Sequence, residues 1–398
     1  MKTLRIIILF IIISFPAHLL AQEKNRYEII GHIDGLEEGE KLTMKLFYGS
    51  GPNDGVKRDS AIVKDGQFHI IGVVPDGPRM YWLQFGNHGH HWCNLWIDND
   101  QKITIIGSNI DKIPSAPIGE YVEITGSPTN KGREILVNME RLYLQERGAI
   151  NNELDKIKDS IGFNAQIVEG LIRSNLLLDD RYYQTILAYE TPFTKPIRAY
   201  TLVDTKENDG QWGHQSFYKK AYDKLDESAK NGFYGRQLKE ISELSVGQSM
   251  PAFTLPTPEG KLISLKDVAA TSKLTLVWFW ATNSFDKERY EKELVALYPR
   301  YHSKGLNMVA VSADTSKDDW SFMIHQKKYP WINVSDGKGW KKGSIINDTY
   351  KEGGHQIPNS TNVLVDQKGN IVAWDPTGVE LQWYLWKYLD SQTPEKTK

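Results

Sequence analysis

The chain has 398 residues, of which 25% are charged and 40% apolar, and its formal net charge is −2. That length predicts more than one domain, and that composition is globular rather than disordered or fibrous. The near-neutral balance, with no long run of one charge, excludes the electrostatic footprint of a nucleic-acid binder.

At the N-terminus, Lys2 and Arg5 precede an apolar stretch over residues 6–20, and Leu19-Leu-Ala leads into Gln22. A positive start, a short apolar run and a small residue before the cut read as a secretory signal over residues 1–21. The run is short for a membrane-spanning helix, the alternative reading, and no later stretch is long and apolar enough to span. No cysteine follows the cut, so a bacterial lipid anchor has no attachment point. The expected location is the periplasm or cell envelope, with no membrane span after cleavage.

Residues 24–126 alternate with period two. Tyr27-Glu-Ile-Ile-Gly-His-Ile, Lys41-Leu-Thr-Met-Lys-Leu, Gln67-Phe-His-Ile-Ile, Tyr81-Trp-Leu-Gln-Phe, Cys93-Asn-Leu-Trp-Ile and Lys102-Ile-Thr-Ile-Ile are short strands separated by turn residues such as Lys64-Asp-Gly. This spacing predicts an all-β domain, a small sandwich or barrel. Residues 127–243 change to helical spacing, as in Glu134-Ile-Leu-Val-Asn-Met-Glu-Arg-Leu, and predict a helical connector. Residues 246–392 alternate strands and helices. Leu274-Thr-Leu-Val-Trp-Phe-Trp-Ala is a continuous apolar run, as a strand covered on both faces requires, followed by a helix over 286–302. Leu306-Asn-Met-Val-Ala-Val-Ser, a helix over 318–328, the hairpin around Gln367-Lys-Gly-Asn and a closing helix over 379–389 complete an α/β layout. The expected architecture is therefore multidomain α+β: an all-β start, a helical middle and an α/β end.

The α/β part resembles a known family. Val246-Gly-Gln-Ser-Met-Pro-Ala-Phe-Thr-Leu, then Pro258-Glu-Gly-Lys-Leu-Ile-Ser-Leu, is similar to the opening of the redoxin and TlpA/ResA-like envelope thioredoxins. Val277-Trp-Phe-Trp-Ala-Thr resembles their central strand, and Val363-Leu-Val-Asp-Gln-Lys-Gly-Asn-Ile-Val their late hairpin. The β-rich and helical segments upstream resemble what precedes such domains in some Gram-negative envelope proteins. The resemblance implies a thioredoxin fold and thiol–disulfide oxidoreduction, or peroxide reduction, in cell redox homeostasis.

It also implies a Cys-x-x-Cys pair at a helix N-terminus, where the dipole and free N–H groups stabilise a thiolate and a second thiol one turn on resolves the mixed disulfide. Here Ser284 falls on the first cysteine and Lys287 on the second, with Phe285 and Asp286 between them. Serine forms no disulfide, and a lysine in the first helical turn opposes the dipole. The family's cis-proline position, counted back from Asp366, is Ser360, with Pro358 two residues earlier. A non-proline cis bond costs about 3 kcal/mol, so Ser360 is expected to be trans. The redox apparatus is degenerate at both halves.

Each of these residues has a plainer reading beside the functional one. Ser284 as a nucleophile needs an oriented base at recognisable spacing, and helix capping suits it better. Lys287 with Asp286 offers a polar patch for a partner or anion, or simply a solvated first turn with an ordinary ion pair. His88, His90 and His91, close to Cys93, carry imidazole and thiolate ligands suited to zinc or copper, but equally read as a polar hairpin loop. Cys93 sits in a strand, where a free cysteine behaves as a small buried apolar residue. No cofactor is expected. The leading expectation is a redox-inactive binding or accessory module whose partners are envelope proteins or peptides. The alternatives are an oxidoreductase or peroxiredoxin-like antioxidant protein using Cys93 or an external thiol, and metal or small-ligand binding through the histidine loop.

Overall fold

This computed structural model describes residues 25–46, 57–88, 90–113, 121–159, 164–191, 193–209, 216–339, 343–344 and 360–391. Residues 1–21, read from the sequence as a secretory signal, and Pro358 lie outside the described residues. The chain divides into two compact units. The first takes in most of the chain up to Ser127, and the second takes in Asp76–Met80 and everything from Pro128 onward.

The first unit is built from eight strands: β1 (Tyr27–Ile33), β2 (Lys41–Leu46), β3 (Lys57–Ile62), β4 (Gln67–Gly72), β5 (Arg79–Phe85), β6 (Trp92–Ile97), β7 (Lys102–Gly107) and β8 (Val122–Thr125). They form two four-stranded sheets, ordered β4-β1-β7-β8 and β3-β2-β5-β6. Burial alternates along β1, β4 and β6, so one face of each strand enters the core while the other stays wet. The turn between β3 and β4 has positive φ at both Asp65 and Gly66, the conformation for which an Asp-Gly pair is suited.

The second unit begins with helices α1 (Pro128–Asp159), α2 (Ala165–Ala188), α3 (Arg198–Asp209), α4 (Ser216–Lys224), α5 (Glu227–Asn231) and α6 (Phe233–Glu243). A short hairpin of β9 (Thr254–Pro256) and β10 (Leu262–Ser264) leads into α7 (Leu265–Ala270). The α/β part then runs β11 (Leu274–Trp280), α8 (Lys287–His302), β12 (Leu306–Ser312), α9 (Lys317–Lys327), β13 (Ile332–Ser335), β14 (Thr361–Asp366), β15 (Ile371–Trp374) and α10 (Gly378–Leu385). Its sheet has the order β13-β12-β11-β14-β15, with β13, β12 and β11 parallel and β14 and β15 antiparallel. This is the thioredoxin-like arrangement.

All seven residues of β11 are buried, which explains its unbroken apolar sequence. Because side chains alternate across a strand, β11 feeds two cores. Leu274, Leu276, Trp278 and Trp280 join one, together with Tyr290, Leu294 and Leu385, and with Leu154, Val168 and Ile172 from α1 and α2. Val277 and Phe279 join the other, with Phe253, Leu255, Leu265 and Val365. The connector helices thus share a core with the α/β part. The sequence pattern does not separate β13 or α7, which are short. Trp320 alone is buried on α9, so that helix carries little periodic signal.

Candidate functional site

The loop from β11 to α8 leaves the sheet at its centre, beside the carboxyl ends of β12 and β13, the edge where open α/β sheets present their sites. The turn closes through the Ser284 N–H to the Ala281 carbonyl (3.1 Å), and the Ser284 carbonyl accepts the Lys287 N–H (3.3 Å). Asp314, just past β12, accepts the Thr282 N–H (3.0 Å) and the Thr282 hydroxyl (2.7 Å), and also the Ser312 hydroxyl (2.7 Å). The Ala313 N–H donates to the Trp280 carbonyl (2.8 Å), fastening the ends of β11 and β12 together.

Ser284 does not cap α8, contrary to the sequence expectation. Its Oγ accepts the Ala281 N–H at 2.9 Å, so it serves the strand exit rather than the helix. The residue directly before the first helical position is Asp286, and it makes no side-chain cap bond. Helices α7 and α9, by contrast, are capped by Ser264 and Ser316. Phe285, between Ser284 and Asp286, is 99% exposed.

Lys287 is likewise not in a solvated first turn. It is 6% exposed, and its Nζ lies 3.3 Å from Glu291 Oε2, one helical turn on. Glu291 is itself buried and receives Lys327 Nζ of α9 at 2.7 Å on its other oxygen. Burial pushes the Glu291 carboxyl upward, but the hydrogen bond from Lys327 and the charges of both lysines outweigh it and leave it below the usual carboxylate range. Lys287, the residue that the resemblance sets on the second redox position, is thus the buried end of a Lys–Glu–Lys chain whose other end, Lys327, is exposed. Ser360, at the start of β14, is 1% exposed, and its hydroxyl has no hydrogen-bond partner among the described residues.

The histidine loop is in the first unit. His88 Nδ1 is 3.1 Å from buried Glu40 and its Nε2 3.2 Å from Asp111. Burial pulls its pKa down, but the hydrogen bonds and charges of Glu40 and Asp111 raise it overall. His91 Nε2 faces the Ile113 carbonyl at 2.9 Å, and His90 is exposed. Among the described residues no three His, Cys, Asp or Glu side chains converge on a metal-sized space. Cys93 is fully buried in β6, and burial pushes its thiol up to about 12. A thiol held protonated at neutral pH is neither nucleophile nor ready ligand.

Sequence reasoning missed Thr282, Asp314, Glu291 and Lys327. Asp314 is 32 residues from Thr282, and no local pattern joins them. Its only signal is position, at the carboxyl end of a buried strand.

Residues 246–374 match the AhpC/TSA family, and residues 27–132 match a domain family of unknown function, DUF4369. A thiol-disulfide oxidoreductase ResA of Bacillus cereus is 30% identical over 163 residues, which are 41% of this chain and 85% of that protein. The ResA of Bacillus anthracis is 30% identical over 148 residues, covering 36% of this chain and 79% of its own. Among solved structures, a thiol:disulfide interchange protein from Bacteroides sp. is 26% identical, with 39% of this chain and 97% of that one covered and a TM-score of 0.34. The thioredoxin domain of a thiol-disulfide oxidoreductase from Bacteroides vulgatus is 27% identical, with coverages of 37% and 99% and a TM-score of 0.33.

Proposed function

We propose that this chain, which belongs to the redoxin/TlpA-like family of thioredoxin-fold proteins, has kept the family's scaffold for binding polypeptide and does not exchange disulfides. One observation carries the reading. The two redox positions hold a serine turned back onto its own strand and a lysine buried in an ion pair, while the one thiol of the chain is Cys93, buried in another unit. The loop is nonetheless held in place by Asp314 and its flanking hydrogen bonds, so a defined surface persists where the relatives named for thiol–disulfide chemistry carry that sequence region.

The protein would be exported by the segment over residues 1–21 and act in the periplasm or envelope as an accessory module for other proteins or peptides. The charged start and short apolar run support this. N-terminal sequencing of the protein from an expressing Gram-negative host tests the export step: a start at Gln22 supports it, and an intact Met1 overturns it.

Reduction of insulin or a small aromatic disulfide by the purified chain, alongside Cys93→Ser, tests the rest. No turnover above background in either is expected. Turnover lost in Cys93→Ser would instead restore the oxidoreductase reading and make Cys93 its thiol.

A further inference from the structure

In the first unit, β3 and β4 are joined by a tight turn, where Lys64 and Gln67 exchange backbone hydrogen bonds at 2.9 Å. The two strands then part into different sheets, each as an outer strand. A cavity of about 430 Å³ opens where they have separated, lined by Arg26, Asp59, Ile71, Gly72 and Val73. The Tyr27 hydroxyl donates to Asp59 Oδ2 at 2.6 Å and ties the β3 wall to β1. Gly72 makes room for that bond, because a Cβ there would collide with Tyr27 Oη and Asp59 Oδ2.

The β4 wall offers backbone as well as side chains. The Glu28 N–H donates to the Gln101 carbonyl at 2.9 Å, so Glu28 faces β7, and by alternation Tyr27 faces β4 and its ladder partner Gly72. Ile71 and Val73, on either side of Gly72, therefore turn their N–H and C=O groups away from β1, to the open edge. The Val74 N–H, turned back again, goes to Asn99 Oδ1 at 2.8 Å. Open edges are usually blunted by charge, proline or a bulge. Here the edge reads Ile71-Gly-Val, and Ile71 and Val73 are both half-exposed. Arg26 and Asp59 bring opposite charges to the same cavity, and among the described residues no ion pair joins them. Glu28, two residues along from Arg26, is already engaged by His69 and Lys102.

We propose that this wedge is a docking site for an extended peptide segment, which adds to the open edge of β4. The segment's backbone pairs with Ile71 and Val73, whose groups recur at the two-residue spacing of a partner strand. An apolar side chain of the segment covers Ile71 or Val73, an acidic group meets Arg26, and a basic group meets Asp59. A small compact ligand leaves the alternating N–H and C=O groups unused. The partner is therefore a polypeptide bearing both charges around an apolar residue. The site lies within the first unit and does not depend on the reading of the Ser284 loop.

The probe is a short peptide of alternating threonine and valine with one glutamate and one lysine, titrated to about 1 mM into the purified full chain and read by calorimetry. Saturable binding is expected in wild type, with slower amide exchange at Ile71 and Val73. Val73→Pro removes an edge N–H without taking a ladder bond, and is expected to weaken binding about tenfold. Arg26→Glu is expected to weaken it about threefold. No binding at about 1 mM, or binding that leaves exchange at Ile71 and Val73 unchanged, overturns the proposal. Binding that Val73→Pro leaves intact also overturns it: the peptide then sits elsewhere, and the reading of the Ser284 loop stands. An Arg26→Glu variant that binds as wild type overturns the charge assignment. Should Val73→Pro fail to fold, the same peptide N-methylated along its backbone decides. It offers no N–H to the edge, so loss of its binding supports strand addition and equal binding refutes it.

Discussion

Cys93 and Ser284 sit in opposite surroundings. Cys93 has a thiol but no setting for thiol chemistry: it is fully buried in β6, and burial drives its pKa up. Ser284 has the setting but no thiol. Its loop ends a central strand, precedes a sixteen-residue helix and is tied to the neighbouring strand through Asp314. Reactivity belongs to neither residue type nor fold alone. It needs a sulfur placed where charge and solvent stabilise the thiolate.

The sharpest way to test this contrast is to move sulfur into the prepared setting. Ser284→Cys with Lys287→Cys is expected to raise insulin reduction at least about tenfold above the parent, with the thiol at 284 alkylating at a pKa below the ordinary 8.5. A dithiol that forms no turnover and alkylates as slowly as Cys93 would break the comparison. Next in size is the ion chain under the loop. Glu291→Ala leaves Lys287 buried beside no carboxylate and is expected to destabilise the second unit by about 3 kcal/mol in urea unfolding. Loss below about 0.5 kcal/mol would mean that Lys287 swings out to water unaided. Asp314→Ala removes the acceptor for the Thr282 N–H and hydroxyl and should cost about 2 kcal/mol, with faster exchange at Thr282.

The smallest effect lies on the Cys93 side. His88 has a raised pKa in the folded state, so its stabilisation is complete below the unfolded value near 6.5 and is lost as pH rises through the folded one. His88→Gln should flatten that dependence in the first unit without touching disulfide assays. A matching slope in the variant would assign the pH response to another group.

Much of this was legible in the sequence, for physical reasons. The apolar run of β11 has no reading but a strand covered on both sides, and Lys64-Asp-Gly has few conformations open to it. The placing of Ser284 and Lys287 on the family's cysteine positions, as the resemblance implies, needs only the sequence around β11 and α8. The roles of the replacements were hidden. Serine near a helix start suggests a cap, yet the chain turns once more before α8 begins, and the hydroxyl meets Ala281 first. Lysine in a first turn suggests solvent, yet Lys287 turns inward to Glu291 one turn along the helix.

The buried pair at Lys287 also bears on how this chain can change over time. A drifting surface position can return to cysteine by substitution alone. Here a cysteine at 287 would withdraw one of two ammonium groups from an enclosed carboxylate, so the return is selected against until Glu291 changes as well. Position 284 carries no such burden. The two halves of the former motif are therefore unequally reversible, and the lysine, more than the serine, entrenches the thiol-free state.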